Sequence, residues 1–225
     1  NALELDENFQ INKEDFLLKI QNENLKVLFL CSPNNPTGNE VVDLEFFIEN
    51  FSGSVVLDEA YIEFSSRKSA ISWLEKYPNL IVLQTLSKAY GMAGLRIGIG
   101  AASTEIATLM NTIKGPYNVN SLSQKIALEQ LNDGKVFKEN LEQILAEREF
   151  LKVQLNELDF VKKIYPTEAN FFLIKVENPI EIYEFLLAQN ILTSLRHPQI
   201  ENALRINVGS KEENQKLIET LKNYQ

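Results

Sequence analysis

Lys88 stands eight positions before Arg96 in the run 84-QTLSKAYGMAGLRIG-98. Its neighbours there are small, hydroxylated or apolar, and Gly91, Gly94, Gly98 and Gly100 make the backbone easy to bend and to approach. Two cations in such a setting suit an anionic ligand. Further candidates close other apolar runs: Asn35 in 31-CSPNNPTG-38, and Asp58 with Tyr61 three residues on in 58-DEAYIEF-64. Together these supply an amine that can attack a carbonyl, a carboxylate that can keep a ring nitrogen protonated, and a phenol and an amide for hydrogen bonds. Thr85 and Ser87 add hydroxyls which, with the Arg96 guanidinium, suit a phosphate. A phosphorylated aromatic aldehyde needs that set, and pyridoxal phosphate is the cofactor of that description.

Such residues must be brought together by the elements that carry them. Apolar runs at 26–30 (KVLFL), 54–58 (SVVLD) and 80–84 (LIVLQ) alternate with helical patterns at 42–51 and 70–77, the rhythm of βαβ units around a parallel sheet. Strands of such a sheet aim their carboxyl ends at the ligand crevice, so the polar residues after each run converge there. Side chains alternate across a strand, so only one of Asp58 and its neighbour Glu59 faces the crevice. From residue 117 the texture changes. A long helix follows with Phe137, Leu141, Ile144, Leu145, Leu151, Leu155 and Leu158 on one face, then strands near 170–176, 191–195 and 203–208 and helices near 180–189 and 212–224. The expected organisation is an α/β large domain over residues 1–116 and a small α+β domain over 117–225.

Composition narrows the partners. Twenty-two basic against 31 acidic residues give a formal charge of −9, the wrong sign for tracking a phosphate backbone, so no nucleic acid is expected. A single cysteine, Cys31, excludes an internal disulfide framework and fits a reducing cytoplasm; it reads as a small buried hydrophobe. One histidine, His197, leaves few ligands for a metal, and none is expected. No apolar run reaches the roughly 20 residues that span a bilayer, so no membrane segment is expected.

In order and spacing, CSPNNPTG, DEAYIEF, 85-TLSKAYGMAGLRIG-98 and 204-LRINVG-209 resemble the class I and II pyridoxal-phosphate aminotransferases of fold type I, and within them the histidinol-phosphate branch. The resemblance implies a mostly parallel large-domain sheet, a small C-terminal domain and a homodimer. It implies that Lys88 forms the Schiff base and shuttles protons, that Asp58 partners the pyridinium nitrogen, and that Tyr61 and Asn35 hydrogen-bond the ring hydroxyl. Thr85, Ser87 and Arg96 match the phosphate ligands. Arg205 matches the arginine that clamps substrate carboxylates, and Arg196 a second arginine of the histidinol-phosphate branch; two guanidinium groups suit a phosphate dianion better than one. The implied substrates are histidinol phosphate or imidazole-acetol phosphate with glutamate or 2-oxoglutarate. The family's chains are longer, and the resemblance implies that their N-terminal third, with a phosphate-capping helix and a dimer arm, would precede residue 1, so that the large domain is incomplete.

Other readings share these residues. An aromatic-amino-acid aminotransferase or a phosphothreonine decarboxylase would use a similar pocket, and an inactive fragment or a noncatalytic module would keep only the fold. The stretch 98-GIGAAS-103 approaches a dinucleotide fingerprint, but Ser103 stands where the third glycine belongs and no strand ending in an acid follows about 20 residues on.

Overall fold

The computed structural model describes residues 2–22 and 24–224. Contacts divide the chain into two compact units, one of Asn1–Asn34 with Glu40–Phe137 and one of Asn35–Asn39 with Lys138–Gln225. The 116/117 boundary read from the sequence falls within the first unit. There Ala127 packs with Leu86 and Met92, and Phe137 stacks on Tyr90 with ring centroids 4.4 Å apart.

In the first unit the elements run α1 (Lys13–Asn22), β1 (Val27–Cys31), α2 (Leu44–Asn50), β2 (Ser54–Asp58), β3 (Leu80–Thr85), β4 (Gly98–Ala102), α3 (Thr104–Ile113) and α4 (Ser121–Leu131). The sheet order is β1-β2-β3-β4, with β1, β2 and β3 parallel and β4 antiparallel to β3. Its register sets Cys31 beside Asp58 and Thr85 beside Gly98. Alternation sends Leu30, Val55, Leu57, Leu80 and Val82 to one face, where they bury Phe16 of α1 and Leu44, Phe47 and Ile48 of α2. Each such side chain contributes about 1.5–3 kcal/mol when removed from water. On the other face Phe29 is 73% exposed, so β1 is not buried on both sides as its apolar run predicts.

Residues 70–77 do not form the expected helix. Only a 3₁₀ turn, Ala70–Trp73, appears, with Ser69 accepting from the Ile71 amide at 3.2 Å. Pro78 disfavours helical geometry at Tyr77, and the Ala70 amide is taken by Glu59 Oε1 at 2.9 Å.

The second unit is built on α5 (Gly134–Asn156, whose first turn lies in the other unit), β5 (Val161–Ile164), β6 (Phe171–Val176), α6 (Pro179–Ala188), β7 (Ser194–Leu195), β8 (Ala203–Asn207) and α7 (Lys211–Lys222). The antiparallel sheet runs β5-β6-β8-β7. Phe172, Ile174, Leu204 and Ile206 meet Leu151 and Leu155 of α5, Ile182 and Leu186 of α6, and Leu217 and Ile218 of α7. Ser210 and Glu213 close a capping box at the start of α7.

Residues 35–39 join this unit through Gly38. Its φ of +82° and the side chain of Thr167, which occupies the place a Cβ would take, admit only glycine, and the Gly38 carbonyl accepts from the Glu168 amide at 2.8 Å. Among the described residues no helix is long and apolar enough to cross a membrane.

Candidate active site

The Lys88 turn is anchored by what surrounds the lysine. Leu86, Ala89 and Met92 are buried and Lys88 is exposed, so the turn is fixed by its apolar side and presents the amine. The Met92 amide returns to the Leu86 carbonyl and the Gly91 amide to the Lys88 carbonyl, both at 2.9 Å, and Gly91 takes the φ of +68° that this tight return requires. Lys88 Nζ stands 5.2 Å from the centroid of the Tyr61 ring, within cation–π range.

The proposed phosphate ligands also gather here. Thr85 Oγ1 lies 2.9 Å from Ser87 Oγ and accepts from the Ser87 amide at 3.1 Å, and it reaches the Ile97 carbonyl next to Arg96 at 3.3 Å. Arg96 is a non-glycine residue at φ +56°, exposed, with Nη1 donating to the Ala93 carbonyl at 3.0 Å. The left-handed backbone is held by the 3₁₀ turn Ala93–Leu95 before it and β4 after it. Of the glycines nearby, Gly98 and Gly100 are strand residues of β4, and a Cβ at Gly94 would meet nothing within 4 Å.

At the end of β2 the two carboxylates separate. Asp58 is half-buried, with Oδ1 accepting from the Ala60 amide at 2.9 Å. Glu59 is wholly buried on the opposite face, where Arg67 Nη1 donates to Oε1 at 3.1 Å, Ser69 Oγ donates to Oε2 at 2.5 Å, and Gln84 Nε2 donates to Oε2 at 3.1 Å. Cys31, expected to be buried, is exposed; partial desolvation of its sulfur and then the charge of Asp58 raise its pKa. Its side chain lies on the bare face of β1 with Phe29 rather than on the packed face with Leu30.

Glu63 lies in the 3₁₀ turn Ile62–Phe64, and nothing in the spacing of the sequence marks it as a site residue. Its Oε2 is buried without a hydrogen-bond partner, and desolvation, reinforced by the charge of Glu59 and only partly offset by a backbone hydrogen bond, raises its pKa. Desolvation, and after it the charge of Glu63, raises the pKa of the Tyr90 hydroxyl. A carboxyl whose folded pKa is raised binds its proton to higher pH than the unfolded chain does, so stability falls as pH climbs from the ordinary carboxylate range towards the raised value. Glu63→Gln is expected to remove that slope. Thermal melts should show a gain over wild type that grows as pH climbs above the ordinary carboxylate range.

In the second unit Arg205 and Asn35 are brought together, with Nη1 donating to Asn35 Oδ1 at 2.5 Å. The guanidinium also lies 4.9 Å from the Phe171 ring centroid. Arg205 pairs in register with Leu173 and Ser194, and the Arg196 amide donates to the carbonyl of Ala203, two residues earlier on the same face of β8. Alternation therefore directs both arginines to the face opposite the helices. Arg196 Nε is buried and makes no hydrogen bond. His197 Nδ1 accepts from the Asn202 amide at 3.3 Å, a local turn contact.

The sequence motifs mark Lys88, Asp58, Tyr61, Thr85, Ser87, Arg96, Asn35, Arg196 and Arg205; they do not mark Arg67, Ser69 and Gln84, whose contacts with Glu59 run between segments with no fixed spacing. The donor set fits a phosphorylated pyridine aldehyde: amine, carboxylate and phenol around a ring, and two hydroxyls with a guanidinium for the phosphate.

The aminotransferase class I and II family matches residues 2–221. The chain is 48% identical to the histidinol-phosphate aminotransferase of Flavobacterium psychrophilum over 99% of its own length and 66% of that protein. It is 43% identical to the histidinol-phosphate aminotransferase of Bacteroides fragilis over 98% of its length and 65% of that protein. Among solved structures, the histidinol-phosphate aminotransferase of Clostridium acetobutylicum superposes with a TM-score of 0.88 at 28% identity, over 98% of this chain and 69% of that one. The chain thus spans about two thirds of the length of the curated relatives it matches.

Proposed function

The chain belongs to the aminotransferase class I and II family, and from that premise we propose that the protein is a pyridoxal-phosphate-dependent aminotransferase moving an amino group between histidinol phosphate and 2-oxoglutarate. Its α/β fold, with a mixed and mostly parallel sheet, is that of fold type I. The observation that carries the reading is Lys88, exposed on a turn fixed by buried neighbours and 5.2 Å from the Tyr61 ring, at the carboxyl ends of strands that also carry Asp58 and Thr85.

Pyridoxal phosphate, when bound, supplies an electron-withdrawing ring that weakens the bond from the substrate carbon to its proton. In this reading Lys88 provides the amine that anchors the cofactor and later carries the proton to and from the substrate carbon. Asp58 keeps a proton on the ring nitrogen by its charge, and Tyr61 and Asn35 hydrogen-bond the ring hydroxyl. Thr85, Ser87 and Arg96 hold the cofactor phosphate. Arg205 takes the substrate anion in both half-reactions, a carboxylate from glutamate and a phosphate ester from histidinol phosphate, and Arg196 adds the second guanidinium for the dianion. The relatives' names and the two arginines on one face of β8 and its neighbour support the phosphorylated donor. A cytoplasmic homodimer belongs to the same proposal.

The test is amino transfer to 2-oxoglutarate by the natural full-length chain, with histidinol phosphate and unphosphorylated histidinol as donors. The phosphorylated donor is expected to be preferred by about 10²-fold or more in kcat/KM, and Arg196→Ala to erase most of that preference, since a charge-assisted bond contributes roughly 1.5–3 kcal/mol. The same substitution should change kcat/KM for glutamate far less. Equal use of both donors, or carbon dioxide release from phosphothreonine in place of amino transfer, would overturn the reading.

A further inference from the structure

Arg67 ties together the strand ends of the first unit from the face opposite Asp58. Its Nε lies 3.2 Å from Glu40 Oε1, Nη1 donates to Glu59 Oε1 at 3.1 Å and to the Lys68 carbonyl at 3.2 Å, and Nη2 donates to the Ser32 carbonyl at 3.0 Å. Glu59 passes the connection on to Ser69, to the Ala70 amide and to Gln84, and Gln84 Nε2 also reaches Ser69 Oγ at 2.9 Å. Glu40 accepts in addition from Ser65 Oγ at 2.5 Å.

Every strand end in this network adjoins a residue of the proposed site. Glu59 follows Asp58, Gln84 precedes Thr85, and Ser32, whose amide donates to the Asp58 carbonyl at 3.0 Å, stands at one end of the excursion that carries Asn35 while Glu40 stands at the other. The Val41 amide closes the same stem by donating to Ser32 Oγ at 3.1 Å. A strand is stiff over one peptide unit and its side chains alternate, so fixing Glu59 and Gln84 on one face fixes the direction in which Asp58 and Thr85 leave the other. A planar guanidinium with several donors can hold three acceptors at once in a set geometry, which a lysine cannot.

We propose that Arg67 is a positioning residue for the cofactor site: by gripping Ser32, Glu40 and Glu59 it sets where Asp58 and the stem of the Asn35 excursion stand. The proposal rests on the aminotransferase reading of Asp58. Displacement of such groups by about 1 Å costs on the order of 10²-fold in rate, so the device need not touch the reacting atoms to matter.

The test compares wild type, Arg67→Met and Arg67→Lys in the natural full-length chain. Hydrogen exchange on the cofactor-free protein reads the strand ends, an absorbance titration reads pyridoxal phosphate affinity, and turnover is referred to the folded fraction. Arg67→Met is expected to speed exchange at the Ser32 and Glu59 amides at least about tenfold while leaving α7 unchanged, to weaken pyridoxal phosphate binding roughly 10–100-fold, and to lower kcat similarly. Arg67→Lys should fall between, because one ammonium can still meet Glu59. If Arg67→Met does not fold, Arg67→Lys decides by the same readings.

A variant that melts earlier yet keeps the affinity and the turnover per folded molecule would make Arg67 a structural cross-link only, and the proposal would fall while the aminotransferase reading stood. Borohydride reduction of the wild type with pyridoxal phosphate separates the two levels. No label on Lys88 would overturn the reading and the positioning role with it.

Discussion

Alanine at Lys88 is expected to lower amino transfer by roughly 10⁵-fold or more, a loss of about 7 kcal/mol of transition-state stabilisation, while leaving the melting temperature almost unchanged. The two halves of that expectation come from different parts of one turn. Leu86 and Met92 pack the turn against Ala127 of α4, Ala89 is buried as well, and Lys88 is exposed, so truncating it leaves no cavity. Exposed substitutions away from such packing usually stay within about 0.5 kcal/mol. In the proposed reading the chemistry has no such reserve, because one amine would both anchor the cofactor and carry the proton, and residues acting in one step do not substitute for one another. Lys88→Arg separates charge from nucleophilicity: the guanidinium keeps the cation beside the Tyr61 ring but stays protonated, and it is expected to be nearly as inactive as alanine. Initial rates on the natural full-length chain, with borohydride labelling mapped to peptides, check both. Alanine retaining more than about 1% of wild-type turnover would sink the assignment.

What the sequence discloses of this molecule follows from which interactions are local. The strands at 27–31, 54–58 and 80–85 are legible because a parallel sheet buries continuous apolar runs, and their polar ends are legible because the topology aims them one way. Alternation along β2 leaves the choice between Asp58 and Glu59 open, and only the position of Arg67, Ser69 and Gln84 on one face decides it. β4 is a strand despite reading GIGAA, a composition with little strand preference, because pairing with β3 supplies what propensity does not. The helical spacing at 70–77 loses to Pro78 and to Glu59 capturing the Ala70 amide, neither of which periodicity registers. Asn35 follows the first strand in sequence, yet residues 35–39 belong with the second unit because Gly38 docks on Thr167 and Glu168, some 130 positions away. Motifs mark the residues that carry chemistry, whereas the contacts that orient them are long-range charge pairs with no spacing to read.

Glu59→Ala is expected to cost about 3–5 kcal/mol of folding stability, a large share of the roughly 5–15 kcal/mol that a folded protein has to lose. The side chain has no exposed surface, and four groups converge on it: Arg67 Nη1, Ser69 Oγ, Gln84 Nε2 and the Ala70 amide of a fully buried residue. Its removal leaves a mostly buried guanidinium with Glu40 as its remaining carboxylate in the network, and leaves the Ala70 amide without an acceptor where water has little access. The penalty is that of abandoned partners rather than the net value of the ion pair, which makes the isostere informative. Glu59→Gln keeps the volume and one acceptor oxygen but turns an amide donor towards groups that are themselves donors, so it should recover less than half of the loss. Urea unfolding of the natural full-length chain should show lowered midpoints with unchanged slopes, the mark of lost stability rather than altered compactness. A cost below about 1 kcal/mol for alanine would mean that the network relaxes around the gap, and that the end of β2 is held by its strand pairing with Leu83 and Cys31 instead.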